Sequence, residues 1–235
     1  MFMIVHHADS RGKADHGWLT SYHTFSFSDY YDPTRMGFGR LRVINDDCVE
    51  AGMGFGSHPH RDMEIISIPL EGVLEHRDSE GHQGILKKGE IQIMSAGSGL
   101  RHSEMNASRT EKVKFLQIWV LPKKLGVSPR YEQKNFSQDI HLNKFTTVVS
   151  PDGRDGSLTI NQDAFFSLGL LGAGGTSVYE KKQDGNGLYI FIIKGAVLID
   201  GVEFNGRDGI GIENFQTIKL VARNESEVLL IEVPV

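Results

Sequence analysis

The chain has 235 residues, a formal net charge of −5 and a pI near 6.1, a balance that removes nucleic-acid phosphate as a direct partner. Hydrophobic residues at 39% are enough for a buried core, while the longest apolar run of the C-terminal half, "LYIFII" at 188–193, is far short of the ~20 residues that span a bilayer. One cysteine, Cys48, leaves no internal disulfide and suits a reducing cytoplasm, and the opening "MFMIVHHADS" is too short in apolar residues for a signal-peptide core, so a cytoplasmic protein is expected.

Strand-like segments follow one another from the first third onward. They read "LRVIND" at 41–46, "MEIISIPLEG" at 63–72, "GVLEHRD" at 72–78, "GEIQIMSAG" at 89–97 and "KFLQIWVLP" at 114–122, the last with clear period-two alternation. The 27 glycines exceed the usual share of about 7% and supply the tight turns that many short strands need. Alternation is then lost in a proline-containing, mixed-charge stretch, which predicts a connector over 126–139 between domains at 1–125 and 140–235. The pattern returns in "LYIFIIKGAVLIDG", "GIGIENFQTIKLV" and "SEVLLIEVPV".

The two halves resemble each other beyond composition. "EGVLEHRD…KKGEIQIMS" and "KGAVLIDG…RDGIGIEN" share a glycine, an alternating strand, a turn and a second glycine-led strand, which reads as a duplicated β-unit. With Gly72 aligned on Gly195, the positions of His58 and His60 fall on Lys181 and Gln183, and no histidine or cysteine follows His141. Any imidazole metal site therefore belongs to the first half.

That half holds two pairs of ligand-type residues. His58 and His60 flank Pro59, whose ring stiffens the pair, and His102 and Glu104 are also two apart, so each pair points to one face of a strand. Three imidazoles and a carboxylate suit one divalent first-row transition metal, iron first, with copper, nickel, cobalt, manganese and zinc also in range. Glu64, four residues past His60, shares its face in an unbroken strand and stays open as the carboxylate on spacing alone. His76 and His82, in a charged strand end and a turn, read as solvated; His23, in "SYHTFSF", reads as packed beside aromatics with a pocket role open. His6, His7, His16 and His141 have no ligand spacing.

The segments "GMGFGSHPHRDME" and "GEIQIMSAGSGLRHSEMN" resemble the two cupin motifs, the second with Ser95 where proline is usual and two extra residues before His102. More narrowly, "HPHRDMEI", "EGVLEHRDS", "IMSAGSGLRHSE" and "HGWLTSYHTFSFSDYYDP" resemble pirins, particularly the bacterial pirin-like proteins described as quercetin 2,3-dioxygenases. The resemblance implies an all-β bicupin of two jelly-roll-type antiparallel barrels, the second without metal. It assigns the metal to His58, His60, His102 and Glu104, with Glu104 also the catalytic base and Glu64 a supporting or structural carboxylate. The activity it implies is metal-dependent cleavage of quercetin-type flavonols with O2, the partners being a small aromatic substrate and dioxygen. The competing reading is a non-enzymatic, metal-holding regulator that contacts a protein partner, as eukaryotic pirins imply.

Overall fold

The computed structural model describes residues 2–235, and its regular elements are strands and two short 3-10 turns. No helix among the described residues is long and apolar enough to cross a membrane. The chain divides into two compact units, one of residues 12–137 with 158–162, the other of residues 2–11, 138–157 and 163–235.

The unit that contains the histidine pairs is built from two antiparallel sheets. The larger runs in the order Arg130–Asn135, Glu90–Ser95, Glu64–Glu71, Val113–Val120, Leu41–Val49, Leu19–His23, Gly12–Asp15; the smaller in the order Gly54–His60, Leu100–Asn106, Val73–Asp78, Gln83–Lys87. Alternation in the sequence becomes burial here: in Leu19–His23 every second side chain is buried. The buried apolar side chains of this unit include two clusters. Leu19, Val49, Leu74, Leu86, Val113 and Phe115 form one cluster, and Ile65, Met94, Ala96 and Leu100 form another.

The other unit repeats the plan. One sheet contains, in order, Phe2–His6, Gly209–Glu213, Asn186–Lys194, Ser226–Pro234, Phe165–Leu171 and Lys144–Ser150; the other contains Thr176–Glu180, Thr217–Ala222, Ala196–Ile199 and Val202–Asn205. Its buried apolar side chains include a cluster of sixteen residues, among them Leu188, Ile190, Ile192 and Leu230. The turn glycines of the two repeats, Gly72 (φ 77°) and Gly195 (φ 86°), both take the left-handed conformation that favours glycine.

The expected jelly-roll barrels are not what forms. All four sheets are open, and among the described residues no ladder returns from the last strand to the first, so each unit is a pair of separate sheets of cupin-like arrangement. Pro59 is one local reason. It has no N–H to give to a further strand, and Gly54–His60 accordingly stands at the edge of its sheet, paired to Leu100–Asn106 alone.

Candidate metal centre

Both histidine pairs lie on the smaller sheet of their unit. His102 stands directly opposite His58, and Leu100 opposite His60, across the ladder between Gly54–His60 and Leu100–Asn106. Gly54 lets the two strands approach, because a Cβ there would overlap the backbone of Glu104 and Met105. The register slips between His102 and Glu104. The three imidazole rings converge, with centroids 4.8 Å apart for His58 and His60, 4.4 Å for His58 and His102, and 4.9 Å for His60 and His102.

Donor atoms of His58, His60 and His102 lie within 4.8 Å of one another, and so do those of His76, His102 and Glu104. The two groups share His102. His76 is thus not the solvated residue its charged neighbours suggested: it is fully buried, its ring stacks on Tyr131 at 4.6 Å, and its Nε2 lies 3.3 Å from Asp78 Oδ2. Alternation was the available signal, since His76 is two residues past buried Leu74 on the strand Val73–Asp78. His82 is exposed on the following turn, bonded to Asp78. His23 is buried edge-on to Phe27 at 5.2 Å, as its aromatic neighbourhood suggested.

Glu104 is buried and held from the facing sheet. Its Oε1 accepts hydrogen bonds from Ser67 Oγ at 2.8 Å and Gln92 Nε2 at 3.1 Å, and its Oε2 accepts one from Gln117 Nε2. Burial raises its pKa, opposed by the Ser67 bond, by nearby His76 and His58, and by the Gln117 bond. Glu64 lies elsewhere: its Oε2 accepts from Ser95 Oγ at 2.6 Å and from the Asn161 amide at 3.2 Å, and it belongs to neither donor group.

These residues fit a cation. Neither ring nitrogen of buried His102 has a hydrogen-bond partner, nor does Nδ1 of His76, and bare buried imidazoles call for an acceptor of their lone pairs. Burial and then the neighbouring His58 lower the His60 pKa to about 4, while burial and then His58, His60 and His76 lower that of His102 to about 2. Both rings are therefore neutral and free to donate electron pairs near neutral pH. His58 Nδ1 donates to the Gly56 carbonyl at 2.8 Å, which leaves Nε2 as its electron-pair donor. Nitrogen and carboxylate donors together suit one divalent transition metal.

A cavity of about 610 Å³ opens onto His58, His60 and Glu104 between walls that include Trp18, Phe55 and Trp119. Trp119 meets His60 edge-on at 4.9 Å, and Trp18 meets Phe55 at 5.5 Å.

Two open β-sheet units with a histidine and glutamate cluster in only one of them, among the described residues, define a cupin-like protein with one candidate metal centre. The family model described as Pirin matches residues 4–120, and that described as Quercetinase C-terminal cupin domain matches 147–233. The chain belongs to the pirin family. It is 48% identical over 227 residues to a protein of Escherichia coli named quercetin 2,3-dioxygenase, covering 97% of this chain and 96% of that one. A putative quercetin 2,3-dioxygenase of Pseudomonas aeruginosa is 43% identical, over 96% of this chain and 97% of its own. Among solved structures, bacterial pirin YhhW of Escherichia coli in complex with nickel(II) superposes with a TM-score of 0.94 at 47% identity, covering 99% of each chain.

Proposed function

We propose that this protein is a metal-dependent dioxygenase that opens quercetin-type flavonols with O2, its metal held by His58, His60, His102 and Glu104. The observation that carries the reading is the cavity: a slot between aromatic walls that reaches the imidazoles of His58 and His60 and the buried carboxylate of Glu104. The likeness to the quercetin 2,3-dioxygenase of Escherichia coli supports the substrate class. Iron is the proposed resident ion, and the nickel(II) of the YhhW crystals supports a divalent first-row metal in general.

When bound, such an ion supplies Lewis acidity that makes an adjacent flavonol hydroxyl easier to ionise. Trp119, Phe55 and Trp18 receive the flat rings and keep water from them. Glu104 accepts the hydroxyl proton on a carboxylate oxygen, and Ser67, Gln92 and Gln117 hold that carboxylate in one orientation. His58 is fixed in its tautomer by Gly56. The ionised, electron-rich flavonol is then the species that reacts with dioxygen and loses its central ring.

Oxygen uptake tests this. Iron-, nickel- or copper-loaded protein should consume O2 only with flavonol present and stop on chelation. A protein that binds these metals and consumes no oxygen with any flavonol would favour the regulatory reading, in which the same residues hold metal for a protein partner.

A further inference from the structure

The polar support of Glu104 belongs to a longer row. On the larger sheet Gln92 stands opposite Ser67, Ser67 opposite Gln117, Gln117 opposite Asn45, and Asn45 opposite His23, so five polar side chains cross five adjacent strands in one line. All five are buried. Along its strands the row lies between the apolar cluster of Leu19, Val49, Val113 and Phe115 and that of Ile65 and Met94.

Glu104 accounts for three of the five residues in the row. Gln92, Ser67 and Gln117 are bonded to its carboxylate, whereas Asn45 Oδ1 and His23 Nδ1 have no partner. Beside them Asp47, two residues past Asn45 on the same face and 3% exposed, also has a free oxygen, Oδ1. Asn45, Asp47 and His23 all line the cavity that reaches His58, His60 and Glu104. Unpaired buried acceptors are costly, and their occurrence together on a cavity wall points to a ligand that supplies the missing donors.

We infer that Asn45, Asp47 and His23 form a second anchoring subsite on the cavity wall, which takes hydroxyl groups of the aromatic ligand other than the one that meets Glu104. The inference rests on the flavonol reading and sharpens it. His23 stands two strands from Gln117, roughly 10 Å at ordinary strand spacing, so the row spans a flat ligand of two to three rings. Because two of the three free atoms are carbonyl or carboxylate oxygens, the wall selects ligands with donors there and penalises those that leave it bare. The preferred substrate is then a polyhydroxylated flavonol, not a flavonol that has only the reacting hydroxyl.

Calorimetric titration of the full chain under argon, with quercetin and with 3-hydroxyflavone, tests the subsite without turnover. Wild type should bind quercetin about tenfold more tightly or better, the scale of one or two added hydrogen bonds. In Asn45→Ala and in Asp47→Ala the ratio of the two affinities should fall toward one. Circular dichroism of each variant separates this from misfolding, and the wild-type ratio decides the matter should either variant not fold. Equal wild-type affinities, or a ratio that persists in the folded variants, would overturn the subsite while leaving the flavonol reading in place. Failure of wild type to bind either compound would remove the flavonol reading and the subsite with it.

Discussion

The hydroxyl of Ser67, on the larger sheet, donates a 2.8 Å hydrogen bond to the carboxylate of Glu104 on the smaller one, and both residues are buried. The carboxylate is thus positioned from the sheet opposite to the one that contains it. Support of that kind fixes where a proton or a cation meets Glu104 more rigidly than its own strand could, the more so because the strand's register slips at that point.

Glu104→Gln separates positioning from chemistry. The amide keeps the shape but carries no charge, accepts no proton and meets the donors Ser67 and Gln117 with a group that is itself half donor. Metal affinity should fall modestly, while flavonol turnover falls by about a hundredfold or more, the scale of losing a general base, and recovers in part at alkaline pH where the flavonol is already ionised. Full activity in Glu104→Gln together with its loss in Glu64→Gln would move the role to Glu64.

His58→Ala, His60→Ala and His102→Ala should each strip most of the metal, since each removes one of three converging imidazoles. The fold should persist, because its apolar clusters do not include these residues. Elemental analysis is the check, and near-stoichiometric metal in any one variant takes that histidine off the ligand list.

His76 is the residue whose place in the site came only with the structure. His76→Leu removes an imidazole next to His102 and Glu104 and leaves the space on Tyr131 filled. Metal affinity, read by competition with a chelator, should drop roughly 10- to 100-fold, as for residues that orient a ligand set. An unchanged affinity would make His76 a packing residue only.

Metal should bind in one unit only. When the sequence is aligned on Gly72 and Gly195, Lys181 and Gln183 take the places of the histidine pair, and no histidine or cysteine follows His141. The full chain with His58, His60 and His102 all changed to alanine should therefore retain no stoichiometric iron, nickel or copper. Tight residual binding would place a second site outside the unit described here.

Asp47 gives a pH-dependent stability. Burial raises its pKa from 3.8 to about 7, against the Ser21 hydrogen bond and with help from Asp46 and Glu104. A carboxyl raised in this way costs nothing while protonated in both states, so its penalty is absent below the unfolded value, grows as the pH rises toward about 7, and is constant above. Asp47→Asn should stabilise the fold by a few kcal/mol near pH 8, at about 1.4 kcal/mol per pKa unit, and by little near pH 4. Denaturant midpoints at the two pH values are the measurement; equal gains at both would remove ionisation as the cause.

Local pattern in the sequence determined the all-β class, the duplication around Gly72 and Gly195, the pairing of His58 with His60 and His102 with Glu104, and the lack of imidazoles after His141. Each of these is read from composition or spacing along the chain, and the two pairs follow because side chains two apart on a strand share a face. What lay between strands needed the tertiary structure. The sheets stay open, Phe2–His6 pairs with Gly209–Glu213 across more than two hundred residues, His76 meets His102 from a neighbouring strand, and Asn45 and His23 extend the row that holds Glu104. The physical reason is register: which residue of one strand faces which residue of another is decided by long-range ladders and by the packing of two sheets, and a shift of one position would turn every side chain of that row to the opposite face.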